Sequence, residues 1–146
     1  MVHVEIWLKQ TPETGMAASI CYNKTVHYCN KAFSRVSWAF RSMFVTEQQF
    51  SKLNMFLSAQ KGNGFNRLGF FMLGLGLRIP GNWACKFGFP RRYFCAELVI
   101  RALKASGCIA ENSLPDVSHP EELFQMTSLI TCPTTIRDYA GAEVRY

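Results

Sequence analysis

Pro90-Arg91-Arg92-Tyr93-Phe94-Cys95-Ala96-Glu97-Leu98-Val99, continuing through Ile100-Arg101-Ala102-Leu103-Lys104-Ala105-Ser106 to Gly107, decides how the chain is read. The pattern predicts a helix from about Arg92 to Ser106, opened after a proline and closed by glycine at C′. Its first turn holds Cys95 beside two arginines. A thiol there meets the positive end of the helix dipole and fixed cations, and both favour the nucleophilic thiolate. A cysteine in an arbitrary helix is more often a small core residue. A functional reading of Cys95 therefore needs a partner elsewhere in the chain.

The N-terminus offers one. Val2 to Leu8 alternates, with His3, Glu5 and Trp7 on one face and Val4, Ile6 and Leu8 on the other. Thr11-Pro12-Glu13-Thr14-Gly15 signals a turn, and Met16 to Tyr22 reads as the returning strand. Asn23-Lys24 signals a second turn, followed by strands over Thr25–Cys29 and Arg35–Phe44. The expected fold class is α+β, with an antiparallel sheet of four or more strands packed against the cysteine helix.

A hairpin centred near Thr11 sets Ser19 opposite His3, and one centred near Glu13 sets Asn23 there. Both share His3's face, because cross-strand partners do. His27, past the second turn, is a third candidate. A thiol hydrolase needs a cysteine, a histidine within hydrogen-bond reach and a polar group that orients the imidazole. Cys95, His3 and one of Ser19, Asn23 or His27 would meet that need without a metal or cofactor.

Two further helices are signalled. Thr46 with Gln49 forms a capping box ahead of the stripe Phe50, Leu53, Phe56 and Leu57. Ser118-His119-Pro120-Glu121 reads as a second capping box, opening a helix through Leu123, Phe124 and Met126. Residues 131–146 read as a weakly structured tail of one domain spanning 1–146. Between the helices, 65–89 carries glycine at 69, 74, 76, 81 and 88, which predicts a short helix and a long loop.

Composition narrows the class. With 146 residues, 49% hydrophobic and 18% charged, the chain can bury one core and is not disordered. The six cysteines form no CxxC and no zinc-finger spacing, and the strand-like start at Val2 leads us to expect no signal peptide. Reduced thiols in the cytoplasm are the expectation. The net charge of +6 is scattered, with no basic stripe interleaved with aromatics, so specific nucleic-acid binding is not expected. No stretch reaches the roughly 18 to 20 apolar residues that span a bilayer. The apolar run 65–79 instead suggests a core segment or a flap that contacts lipid or a membrane surface.

Taken in order, these segments resemble the permuted NlpC/P60 branch of papain-like thiol hydrolases, which includes YiiX-like proteins and viral relatives and, more distantly, the lecithin:retinol acyltransferase group. His3-Val4-Glu5-Ile6-Trp7-Leu8 is similar to the family's histidine strand, and Ala18-Ser19-Ile20 to the next one. Ala59-Gln60-Lys61-Gly62-Asn63-Gly64-Phe65-Asn66 is similar to the element ahead of the nucleophile. Tyr93-Phe94-Cys95-Ala96-Glu97-Leu98-Val99 resembles the "FCSEL" box, with alanine where serine is common, and His119–Phe124 resembles a proline-led closing helix. Relatives usually carry a further strand with a Gly-Asp element before the histidine, and here only Met1 and Val2 stand there.

The resemblance implies a circularly permuted papain-like domain with Cys95 as nucleophile, His3 as general base and Ser19 at the third polar position. It implies an acyl or peptide substrate, cleaved as an amide, ester or thioester by a peptidase, amidase or lipid acyl hydrolase. A domain that keeps this fold without turnover, as a binding or structural protein, is the alternative.

Overall fold

The computed structural model describes residues 3–9, 15–31, 38, 42–43, 45–125 and 134–135. They form a mixed α+β domain. Strands β1 (Ile6–Lys9), β2 (Gly15–Ser19) and β3 (His27–Lys31) make an antiparallel sheet in the order β1-β2-β3. Ile6 pairs with Ala18 and Leu8 with Met16, so the first hairpin is centred at position 12, midway between the two expected registers. The ladder begins at Ile6, and His3 lies in the segment leading into it.

A sheet of four or more strands is not found among the described residues. Most of the expected strand Arg35–Phe44 lies outside them, and its Ser42–Met43 (β4) pairs instead with Thr134–Thr135 (β7), a short ladder inside the expected tail.

Helix α1 (Glu47–Gln60) starts as its sequence directs: Gln49 N–H donates to Thr46 Oγ1 at 3.2 Å, and Thr46 N–H to Gln49 Oε1 at 3.0 Å. Leu53 and Leu57 of its stripe are buried, but Phe50 is 43% exposed. The stripe reaches the core only after the first turn. The helix packs on α3 (Cys95–Ala105), which is buried along Cys95–Ile100 and at Ala102. Leu57, Leu98 and Ile100 are fully buried, each adding about 1.5–3 kcal/mol of apolar burial to the core. Ala18 and Ile20 bring the sheet into the same cluster.

The start of α3 is fixed by backbone pairing. Val26 N–H donates to the Asn63 carbonyl at 2.8 Å, and Gly62 N–H to the Val26 carbonyl at 2.9 Å, tying the sheet to the end of α1. Gly64–Phe65 (β5) pairs in parallel with Arg92–Tyr93 (β6), and Asn66 N–H donates to the Tyr93 carbonyl at 2.7 Å. Arg92 and Tyr93 are therefore extended rather than helical, and Cys95 becomes the first residue of the helix. Gly107 closes it with φ 74°, the left-handed conformation that favours glycine.

Asn66 caps α2 (Arg67–Gly74) by accepting Gly69 N–H at 3.0 Å, and a 3₁₀ turn covers Trp83–Phe87. Helix α4 (Pro120–Gln125) begins two residues later than expected. Its cap bond runs from His119 N–H to Glu122 Oε2 at 2.9 Å, while the Ser118 hydroxyl donates to the Pro115 carbonyl and accepts from Arg78 Nη1 at 2.9 Å. Among the described residues no helix is long and apolar enough to cross a membrane.

Candidate active site

Cys95 is buried at the mouth of α3, where the extended Phe94 provides no side-chain cap for the helix. First-turn amides are thus left without a capping side chain. The arginines ahead of it diverge: Arg91 lies over the Tyr93 ring, 5.3 Å from its centre, and Arg92 is exposed. Tyr93 is itself buried and donates its hydroxyl to Gln60 Oε1 at 2.8 Å, so it braces α1 against β6. Burial pushes its phenol up to about 12.

The His3 side chain reaches Cys95. The neighbouring Cys95 side chain is the largest influence on the imidazole, followed by Glu5, and together they raise His3 from 6.5 to about 10 against the opposing effect of burial. Both partners favour the charged form of the ring. Its Nε2–H donates to Glu5 Oε1 at 2.9 Å, with Ser19 Oγ at 3.4 Å from the same nitrogen. The Trp38 indole stands edge-on to the ring at 6.2 Å, and Lys31 Nζ lies 5.0 Å from the Trp38 ring centre.

Glu5 is the residue that sequence reasoning passed over. Its side chain is only 2% exposed, and burial alone would make it a weaker acid. Hydrogen bonds from His3, from Lys31 Nζ at 2.6 Å and from Ser19 Oγ at 2.8 Å outweigh burial and hold the carboxyl at about 2. A buried carboxylate with three donors is a fixed negative charge aimed at the imidazole. The signal was present in the strand alternation, which puts Glu5 on His3's face. What it lacked was the register.

The other candidates separate accordingly. Ser19 is buried and touches both Glu5 and His3, as a donor to the carboxylate more than as the direct partner of the ring. Asn23 is exposed in the turn after β2, with φ 60°, and is not brought to the site. His27 pairs with Ser19 across the β2–β3 ladder but turns its Nδ1 onto the Thr25 carbonyl at 2.8 Å. Cys21 approaches Ser19 Oγ at 3.8 Å.

Metal-ligand atoms of His3, Glu5 and Cys21 lie within 4.8 Å of one another. A divalent ion there would have to displace the His3 proton and face the Lys31 ammonium already bonded to Glu5. The ion pair fits this carboxylate better than a cation does.

Behind the cysteine, Glu97 is fully buried, accepts Gly81 N–H at 3.0 Å and faces Arg101 Nε at 3.4 Å. Burial pushes its carboxyl up to about 7. It pins the loop after α2 to α3 rather than facing His3, and of the three arginines near it in sequence Arg101 makes the ion pair.

The set can therefore bring a cysteine and an imidazole together and anchor the imidazole through a carboxylate, at a helix start that carries no side-chain cap. Compared with protein-family models, curated proteins and solved structures, the chain gives no significant match to any of them.

Proposed function

We propose that the protein is a thiol hydrolase or acyltransferase of the permuted papain-like kind, with Cys95 as nucleophile, His3 as base and acid, and Glu5 orienting the imidazole with help from Ser19. The observation that carries this reading is that His3, whose Nε2 donates to the buried Glu5 carboxylate at 2.9 Å, has the Cys95 side chain as the strongest influence on its imidazole. That commitment orients the ring, and Nδ1 is the nitrogen that would serve the thiol.

In the reaction, His3 takes the Cys95 thiol proton to become the imidazolium, and the sulfur attacks the carbonyl carbon of an amide, ester or thioester, forming the C–S bond and an oxyanion. Backbone N–H groups at the start of α3, Cys95's own among them, are the donors that would stabilise that oxygen. His3 gives its proton to the departing amine, alcohol or thiol as the old acyl bond breaks. The neutral imidazole then takes a proton from water, or from a second acceptor, which attacks the thioester and releases Cys95. The acyl group comes from a peptide-like or lipid substrate. Cys21, Cys29, Cys85, Cys95 and Cys108 are free thiols, which supports a reducing, cytoplasmic setting.

Iodoacetamide alkylation, read residue by residue by mass spectrometry, tests the assignment. Cys85 is exposed and Cys95 buried, so accessibility alone makes Cys85 the faster. The expected result is the reverse, with Cys95 slowed about tenfold or more by His3→Ala. If Cys95 reacts no faster than Cys85 and ignores the substitution, the enzyme reading falls and a papain-like binding domain without turnover takes its place.

A further inference from the structure

The segment 48–96 contains no aspartate or glutamate in 49 residues, yet it carries seven lysines and arginines. Of the eleven large hydrophobic residues exposed among the described residues, ten fall inside it. Acid-free charge and exposed apolar side chains thus coincide in one part of the chain.

The structure gathers much of this material into a single face. On α2, Gly69 and Leu73 are buried, while Leu68, Phe71 (57% exposed) and Leu75 (73% exposed) follow one another along the outer side at helical spacing. Phe70 and Phe71 pack tilted and edge-to-face against Tyr22 of the neighbouring turn, with ring centres 6.0 and 6.5 Å from it. A cleft lined by Leu68, Trp83 and Phe89, with Arg67 and Arg92 at its walls, joins α2 to the 3₁₀ turn, where Trp83 and Phe87 pack ring to ring at 5.4 Å. Arg67, Lys86 and Arg92 are exposed around these rings. Isolated surface hydrophobes need no explanation, but a contiguous aromatic face does.

We propose that this face docks the protein on an anionic lipid bilayer, with α2 and the 83–89 turn lying in the headgroup region. The charge pattern selects that occupant. A second copy of the chain would set cations against cations, because the segment supplies no acid to answer them. A nucleic acid would match the charge but leave the leucines and phenylalanines in water. Phenylalanine, tryptophan and leucine bordered by arginine and lysine suit the interface, where rings enter the acyl boundary and cations meet lipid phosphates. No helix among the described residues is long and apolar enough to cross a bilayer, and the contact proposed is peripheral. The face also adjoins the proposed nucleophile, since Phe65 pairs with Tyr93 two residues before Cys95. The docking stands independently of whether Cys95 turns over.

Flotation of the full chain tests it, using phosphatidylcholine vesicles with and without about one-third phosphatidylserine. Wild type is expected to float with the anionic vesicles, weakly with the neutral ones, and to be released by salt. Phe70→Glu/Phe71→Glu should lower partitioning about a hundredfold, and Arg67→Glu/Lys86→Glu about tenfold. All four side chains are exposed, and unchanged Cys95 alkylation in each variant verifies the fold. No flotation of wild type overturns the proposal, as does equal flotation of wild type and both variants. Equal binding to neutral and anionic vesicles overturns the charge selection. Sedimentation equilibrium giving a wild-type dimer that Phe70→Glu/Phe71→Glu disperses, without flotation, assigns the face to a second copy instead.

Discussion

Ser19 donates its hydroxyl proton to Glu5 Oε1 over 2.8 Å, while the same carboxylate oxygen takes the His3 Nε2 proton at 2.9 Å. The serine thus acts on the imidazole mainly through the glutamate. Its 3.4 Å approach to His3 is the weaker contact.

This ordering ranks two substitutions. Glu5→Gln keeps the shape but removes the negative charge, and an amide cannot serve His3, Lys31 and Ser19 as a carboxylate does. Cys95 alkylation at neutral pH is expected to slow about tenfold or more. Ser19→Ala leaves Glu5 with two of its three donors, and a loss of only a few-fold is expected. A Ser19→Ala defect as large as that of Glu5→Gln would make serine the direct orienting group.

The same contacts set a pH profile for stability. His3 binds its proton with a value near 6.5 when unfolded and about 10 when folded. Its contribution is therefore complete below 6.5 and is lost as pH rises toward 10. Glu5 behaves oppositely: lowered from 4.5 to about 2, it contributes fully above 4.5 and loses that contribution as pH falls through about 2. Urea midpoints between pH 6.5 and 10 should fall for wild type and fall much less for His3→Gln. The difference at neutral pH should be of the order of 2 kcal/mol, after allowance for the quarter of the side chain that is exposed. Parallel curves for the two proteins would refute the linkage.

Local chemistry was what the sequence exposed best. Thr46 and Gln49 are three residues apart and satisfy each other's backbone groups, so the start of α1 needs no tertiary information. The Cys95 helix was equally legible through its apolar density and terminal glycine. Its first residue was not, because Arg92–Tyr93 is held extended by a partner strand some 28 residues earlier. Glu5 was hidden for a similar reason. Alternation places it beside His3, but its donors come from Ser19 on the returning strand and Lys31 on the third, and only the register reveals them. The glycine-rich 65–89 segment was legible as a short helix and a loop. Its outward-facing rings follow from which side of α2 meets Asn66 and Ile79, and that is a tertiary fact.

Thr46→Ala isolates the local term. It removes the acceptor for Gln49 N–H without touching the site, and a stability loss of about 1 kcal/mol is expected. Urea denaturation should register that loss while Cys95 alkylation stays at the wild-type rate. A slowed Cys95 would mean that the start of α1 reaches the site through Gln60 and Tyr93.

Gly81 has the least room for a side chain of the described glycines. A Cβ built there would run into the Arg92 carbonyl and sit 3.2 Å from Glu97 Oε2, so the glycine is required by space rather than by its φ. Gly81→Ala must push β6 away from the loop or break the Glu97 bond to Gly81 N–H, at a cost of about 2–3 kcal/mol. Because β6 leads directly into Cys95, the lowered melting temperature should come with slower Cys95 alkylation. Glu97→Gln offers the complementary test. Its amide oxygen still accepts Gly81 N–H, but the carboxyl that folding raises from 4.5 to about 7 is gone. That shift destabilises wild type progressively as pH rises from 4.5 through 7, since the folded chain holds the proton more tightly than the unfolded one. Glu97→Gln should therefore flatten the stability profile across that window while leaving Cys95 reactive. An unchanged profile would mean that Arg101 already neutralises the carboxylate in the folded state.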